Sequence, residues 1–170
     1  VGRLERAADS GEVVDVTCRQ LVHLLDRAVL FLPPEAFLPA GGSARVFPAA
    51  DRTVSPDIID REREAVLWTC ENRHQSGAFT SHFPDHTCRY LCLFSGDTCF
   101  GVIGISMDGR PFTDFEKTIL LSIVHECTMT LDNRRMEQVR KEAEIRAENE
   151  QLRAALLRSL SHDLRTPLTS

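Results

Sequence analysis

The sequence predicts an α/β fold of the α+β type, in which helices flank a mostly antiparallel sheet and one long C-terminal helix follows. The clearest strands, residues 88–94 and 98–107, are joined by Ser95-Gly96-Asp97, a short glycine-containing link that favours a hairpin over a parallel crossover. From Thr113 onward the chain has no glycine, and the next proline is Pro167. Nothing local therefore ends a helix for roughly fifty residues.

Four further elements are predicted before the hairpin. Apolar residues recur at helical spacing over residues 11–25 and again over residues 57–72, where Gly77 closes the second helix. Short apolar runs over residues 28–32 and 44–47 predict two strands. Because the best-defined strands form a hairpin, a Rossmann fold is disfavoured.

The long helix opens with Thr113-Asp114-Phe115-Glu116, a capping box in which each terminal side chain accepts the backbone N–H of the other residue. Its first part is apolar enough to pack on the sheet, whereas residues 132–150 carry dense mixed charge. Two short apolar seams of different heptad phase follow, through Met136, Val139 and Ala143 and through Ile145, Asn149, Leu152 and Leu156. We interpret this part as an imperfect parallel coiled coil; the alternative is a solvated tail.

The composition excludes several classes of function. The 170 residues carry a formal net charge of -5, which provides no field to attract nucleic acid. The longest apolar stretch, residues 21–32, is interrupted by charged side chains, so no transmembrane helix is expected. Gly101 and Gly104 lie inside a predicted strand and indicate close backbone packing or a bulge rather than a phosphate-binding loop. The chain begins without Met or a secretory leader and is expected to be part of a longer protein.

The cysteines predict a reducing compartment. Without a leader or a CxxC pair, they are expected to be reduced core thiols of a cytoplasmic region, and Cys99 and Cys127 are assigned to the core. A metal site is the alternative, because one short segment holds Cys70, His74, His82, His86, Cys88 and Cys92. Cys88 and Cys92, however, are about 13 Å apart along one predicted strand, too far to share an ion. No metal site is therefore predicted.

The candidate catalytic residues lie near the C-terminus. On a helix, His162 lies about 160 degrees around the axis from both Leu160 and Leu164, so it faces solvent when the leucines face a core. An exposed imidazole is largely neutral at cytosolic pH, which leaves a ring nitrogen free to attack a phosphoryl group. Asp163 can orient the ring or accept its proton, and Pro167 predisposes the helix to bend just below the histidine.

The string Ser161-His162-Asp163-Leu164-Arg165-Thr166-Pro167-Leu168 closely resembles the H-box of sensor histidine kinases, whose pattern is His, an acid, two residues, Thr or Asn, and Pro. The resemblance implies that His162 is the phosphoacceptor and Asp163 its acid–base partner. It also implies that Thr166 supports phosphatase attack on the response regulator and that Pro167 forms the kink.

The region upstream resembles the GAF domain that precedes this box in KdpD-type potassium-sensing kinases. The resemblance is carried by Glu64-Ala65-Val66-Leu67-Trp68 through Gly77, the hairpin, the capping box and Leu152-Arg153-Ala154-Ala155-Leu156-Leu157. This sequence differs from that family in residues 81–86, which are rich in histidine and could line a GAF pocket. The implied domains are a GAF-like sensory domain over residues 1–130, a coiled-coil signalling helix over 131–150 and the start of a dimerisation and phosphotransfer helix over 151–170.

For the parent protein, the resemblance implies a bacterial inner-membrane homodimer in which this region is cytoplasmic and a more N-terminal region contacts the membrane. ATP and Mg²⁺ would bind in a kinase domain after this region, so this chain is expected to hold no cofactor and to be inactive alone. The implied partner is a response regulator of the KdpE type. Two alternatives stay open for the GAF-like domain: it binds a small molecule that controls the kinase, or it is a dimerisation spacer.

Overall fold

The computed structural model describes residues 2–37 and 43–169, with the side chains of residues 10–36 and 43–165. The elements in this part of the chain are α1 (Gly2–Leu25), β1 (Val29–Leu32), a 3-10 turn (Pro34–Phe37), β2 (Arg45–Phe47), α2 (Ile58–Arg61), α3 (Arg63–Asn72), β3 (Ser76–Gly77), β4 (Cys88–Ser95), β5 (Thr98–Ser106) and α4 (Asp114–Thr169). The strands form one sheet in the order β2-β1-β5-β4-β3, with each neighbouring pair antiparallel. The predicted fold class is confirmed.

The β4–β5 hairpin forms at the predicted link, with Ser95 paired to Thr98. Both glycines predicted to allow close packing do so. A Cβ on Gly101, whose φ is +134°, would lie 2.6 Å from the carbonyl oxygen of Leu32, and one on Gly104 would lie 2.9 Å from the Tyr90 ring. Larger residues at these positions would push β1 or Tyr90 away.

The predicted helix over residues 57–72 is wrong in its continuity and in the residue that closes it, whereas its predicted last residue, Asn72, is the last residue of α3. Glu62 has φ −108° and ψ 18°, outside helical geometry, and it separates α2 from α3. At this break, the carboxylate of Glu62 turns inward and accepts hydrogen bonds from the backbone N–H groups of Thr87 and of Cys88, the first residue of β4. α3 ends at Asn72 with Arg73 in the left-handed conformation, so Gly77 does not close the helix but lies in β3.

The sheet separates two clusters of buried side chains. Because successive residues of a strand point to opposite faces, Leu91 and Leu93 of β4 join one cluster and Tyr90 and Cys92 join the other. The first cluster also contains residues of α1 and of the first part of α4, such as the buried Leu120, as predicted. The second contains residues of α2 and α3.

The chain divides into two compact units, residues 1–131 and residues 132–170. The sheet, α1 to α3 and the first turns of α4 belong to the first unit, and the rest of α4 to the second. In the described part of the chain, no helix combines the length and the apolar character that a membrane span requires.

Candidate functional site

His162 lies on the exposed surface of α4 in the second unit. Its side chain is 82% exposed and that of Asp163 is 76% exposed, with 3.9 Å between His162 Nδ1 and Asp163 Oδ1. This separation is longer than a hydrogen bond but within reach of one after a small side-chain rotation. A phosphoryl donor can therefore approach the imidazole while a carboxylate stands beside the other ring nitrogen.

Two of the four predicted site residues cannot be placed in full. The side chains of Thr166 and Pro167 lie outside the described residues, while the backbone of α4 is helical through Thr169. The roles of His162, Asp163, Thr166 and Pro167 remain predictions.

Large apolar side chains on the second unit are exposed rather than packed. Each of the following is more than half exposed: Met136, Val139, Ile145, Leu152, Leu156, Leu157, Leu160 and Leu164. Glu137 and Lys141, four residues apart on α4, form an ion pair with 3.8 Å between their charged atoms. Since no described residue covers these apolar side chains, this part of α4 offers a surface suited to a partner helix.

A pocket of about 580 Å³ lies in the first unit, a volume typical of small-molecule sites. We call it the Trp68 pocket; its lining residues are Trp68, Asn72, His74, Gln75, Thr80, Ser81, His82, Arg89, Phe112, Lys117, Leu120 and Leu121. Ser81 and His82 belong to the histidine-rich segment that the sequence suggested could line a pocket.

The wall of the Trp68 pocket is built by a tight turn. Gly77 has φ +98°, and a Cβ there would lie 2.1 Å from the carbonyl oxygen of Cys88, so only glycine fits. The N–H of Gly77 donates to the carbonyl of His82 at 2.8 Å, and the hydroxyl of Thr80 donates to the carbonyl of Gly77 at 2.7 Å. The turn places the His82 ring on Trp68, with 4.0 Å between the ring centroids and 23° between the planes.

The charge of the Trp68 pocket is positive. Arg89 and Lys117 line it, and none of its lining residues carries a carboxylate. Arg89 Nε donates to Gln75 at 2.7 Å, and its guanidinium lies 5.3 Å from the centre of the Phe112 ring. Burial lowers the pKa of Arg89 because desolvation disfavours its charge. An anionic group would restore part of that lost solvation, so the pocket is suited to an anionic ligand with a planar ring.

A buried carboxylate in the first unit, that of Glu62, was not predicted from the sequence. Glu62 accepts hydrogen bonds from the N–H groups of Thr87, at 2.6 Å, and Cys88, at 3.1 Å, and from the hydroxyl of Tyr90, at 2.8 Å. Burial, the neighbouring Cys88 thiol and the hydrogen bond to Glu62 raise the pKa of Tyr90. Glu62 stood among other charged residues of a predicted helix, so no local signal distinguished it. It fixes the start of β4 and is a structural group.

The structure brings together a different set of candidate metal ligands from the set considered in the sequence. The sulfur atoms of Cys70, Cys92 and Cys99 lie within 4.8 Å of one another, whereas Cys88, His74, His82 and His86 are not part of this group. All six cysteines are free thiols. Cys99 was assigned to the core from sequence, and its place in this group depends on strand register rather than on sequence spacing.

No protein-family model matches the chain. The sensor protein KdpD of Clostridium acetobutylicum is 28% identical over 172 residues, which cover 98% of this chain and 19% of that protein. The sensor protein KdpD of Escherichia coli strain K12 is 29% identical over 104 residues, which cover 60% of this chain and 12% of that protein. The chain thus spans about a fifth or less of the length of the curated relatives it matches.

Among solved structures, the native GAF domain of the potassium sensor histidine kinase KdpD from Escherichia coli matches with a TM-score of 0.46 and 13% identity, over 80% of this chain and 87% of that chain. The sequence match to the Clostridium protein, in contrast, extends over almost every residue of the chain. The chain is therefore homologous to a part of the KdpD sensor proteins.

Proposed function

We propose that this chain is the region of a two-component sensor histidine kinase in which a GAF-like domain relays a signal to the phosphoacceptor His162. The observation that carries the proposal is the gap-free H-box string around an 82% exposed histidine, in a chain homologous to KdpD sensor proteins. A histidine nucleophile must be reachable by a separate phosphoryl donor, and this exposure meets that requirement.

The proposed reaction uses His162 and Asp163. A neutral ring nitrogen of His162 attacks the terminal phosphorus of ATP, the N–P bond forms, and the bond from that phosphorus to the bridging oxygen breaks to release ADP. Asp163 takes up or holds the proton of the other ring nitrogen, a role that the 3.9 Å separation of Nδ1 and Oδ1 supports. The phosphoryl group then passes to an aspartate of a response regulator of the KdpE type, and Thr166 supports the phosphatase reaction, in which water hydrolyses the aspartyl phosphate of the regulator and releases inorganic phosphate.

The remaining parts of the proposal concern the parent protein. We place ATP and Mg²⁺ binding in another part of that protein, the chain itself in the bacterial cytoplasm, and attachment to the inner membrane in a different region. The exposed apolar seam of α4 supports a homodimer, because two such seams can cover each other. A signal would enter α4 through its first turns, which are packed in the first unit.

The test is autophosphorylation of the full-length parent with ATP labelled on the terminal phosphate. We expect acid-labile, alkali-stable label that is lost in His162→Gln and retained in His125→Gln, a matched control on an exposed histidine of the same helix. Label that persists in His162→Gln, or label absent from the unmodified parent supplied with its membrane and potassium conditions, would contradict the proposal.

A second function is favoured by the Trp68 pocket, namely control of the kinase by a small anionic ligand. Its stacked Trp68 and His82 rings and its two cations offer both a flat apolar surface and charge complementarity. A spacer domain without a ligand would need neither feature. This function is compatible with the first, because the pocket includes Lys117, Leu120 and Leu121 of α4.

A further inference from the structure

Three cysteines from three different elements meet at one corner of the first unit. Cys70 lies on α3, Cys92 on β4 and Cys99 on β5, and their sulfur atoms are all within 4.8 Å of one another. Cys92 Sγ and Cys99 Sγ are 3.5 Å apart. Cys92 is buried, whereas Cys70 and Cys99 are half-buried, so the group is reachable from solvent.

A β-bulge brings Cys99 to this group. Cys92 pairs with Val102, but after a register shift between Leu93 and Phe94 the next regular pair is Phe94 with Cys99. The bulge gives β5 one extra residue, Phe100, so that Cys99 shares the sheet face of Cys92. In a regular ladder, Cys99 would point to the opposite face, away from Cys70. The regular pairing of the hairpin is therefore interrupted at the position that brings Cys99 to Cys70 and Cys92. We call these three residues the sulfur cluster.

The spacing suits a single metal ion. A thiolate binds Zn²⁺ at about 2.3 Å, so two sulfurs on one ion lie at most about 4.6 Å apart, and about 3.8 Å in tetrahedral geometry. The sulfur cluster is already close to these separations. A soft, thiophilic ion of the zinc or copper(I) class is preferred by such a ligand set over magnesium or calcium, which require oxygen ligands.

A cation with an unused hydrogen-bond donor accompanies the cluster. The Arg73 guanidinium lies over the Phe94 ring at 4.8 Å, and its Nη2 donates to the carbonyl of Asp97 at 3.4 Å. Its Nη1 is buried and has no hydrogen-bond partner among the described residues. Three thiolates and one divalent ion carry a net charge of −1, which a neighbouring arginine would balance.

We propose that Cys70, Cys92 and Cys99 form a three-thiolate site for one thiophilic metal ion, with the fourth position open to water. Each thiol that is still protonated releases its proton to solvent as its sulfur binds, and no electron is transferred. An ion held there would tie α3 to the β4–β5 hairpin. This site is independent of the phosphotransfer function proposed for His162.

The test is metal titration of the 170-residue chain without an affinity tag, fully reduced and under anaerobic conditions. We expect one equivalent of Co²⁺ to produce a sulfur-to-cobalt charge-transfer absorption, and one equivalent of Zn²⁺ to displace it and raise the thermal midpoint. Zn²⁺ should also protect Cys70, Cys92 and Cys99 from alkylation, leaving Cys18 and Cys127 unchanged.

Variants decide whether these sulfurs bind the ion. Cys70→Ser, Cys92→Ser and Cys99→Ser should each weaken binding at least tenfold, whereas Cys127→Ser, a matched change of a thiol outside the cluster, should leave it unchanged. Circular dichroism verifies the fold, and the half-buried Cys99 provides a variant that should remain folded if Cys92→Ser does not. No stoichiometric binding by the reduced chain, or charge-transfer absorption that survives in Cys99→Ser, would overturn the proposal.

Discussion

The guanidinium of Arg27 lies 3.4 Å from the carboxylate of Glu116 and links the start of the sheet to the first turn of α4. Arg27 is fully buried, and it also donates hydrogen bonds to the backbone carbonyls of Met107, Arg110 and Pro111. One cation thus fixes the whole connection between β5 and α4. A displacement of this connection would therefore also move the first turn of α4, the helix that contains His162.

Removal of the Arg27 charge should strongly destabilise the first unit. We expect Arg27→Met, which keeps an apolar stem, to lower the free energy of unfolding by about 3–5 kcal/mol, because Glu116 and the buried carbonyls lose their donor. Urea unfolding followed by circular dichroism measures this change. Arg52→Met is the control, since Arg52 pairs with Asp108 on the surface and should contribute less than about 1 kcal/mol. Equal effects of the two variants would contradict the role given to Arg27.

The contribution of Glu116 should depend on pH. Burial alone would raise the pKa of Glu116, but the hydrogen bond from the Thr113 N–H and the charge of Arg27 lower it. A carboxyl whose folded pKa is lowered stabilises the fold at neutral pH, and this contribution is lost as the pH falls through the folded pKa.

The measurement is the difference in unfolding free energy between the unmodified chain and Glu116→Gln as a function of pH. Gln keeps the capping hydrogen bond to Thr113 and removes only the charge. We expect the unmodified chain to be more stable at pH 7, with the difference shrinking below about pH 4.3, the ordinary pKa of glutamate, and vanishing at lower pH. A difference that stays constant with pH would show that the charge is not responsible.

The Trp68 pocket should bind planar anions in preference to neutral analogues. Trp68 is the sole tryptophan, so its fluorescence reports on the pocket directly. We expect saturable quenching by adenosine monophosphate and much weaker quenching by adenosine, because only the former meets Arg89 and Lys117 with an opposite charge. Lys117→Met should weaken binding about fivefold, the effect of losing roughly 1 kcal/mol, and Lys141→Met should not change it. Identical, unsaturable quenching by both probes would favour a spacer domain.

Local signals in the sequence predicted much of the fold. The capping box is formed as predicted, with Glu116 N–H donating to the Thr113 hydroxyl at 3.1 Å and Thr113 N–H donating to the Glu116 carboxylate at 3.2 Å. The hairpin turn at Ser95-Gly96-Asp97 is equally local, because a few residues with particular backbone preferences determine it. Helix starts and tight turns are predictable for this reason.

Features that depend on distant contacts were not predictable. Arg27 appears in the sequence as an ordinary charged residue, yet its acceptors lie about eighty positions later in the chain. Glu62 lies at the break between α2 and α3, and the N–H groups that its carboxylate accepts belong to Thr87 and Cys88, about twenty-five positions later in the chain. The bulge that moves Cys99 to the face of Cys92 depends on one extra residue in a pairing register, which periodicity does not report. The sulfur cluster was missed for that reason.

The exposed seam of α4 should hold two copies of the chain together. Leu152 and Leu156 are more than half exposed and lie on the same seam as Ile145. We expect the chain to sediment as a dimer at micromolar concentration and Leu152→Glu to raise the dissociation constant at least tenfold, because two buried carboxylates would face each other. Ala147→Glu introduces the same charge on the side of α4 away from the seam and is the matched control. A monomeric unmodified chain, or equal weakening by both variants, would show that this seam does not mediate dimerisation.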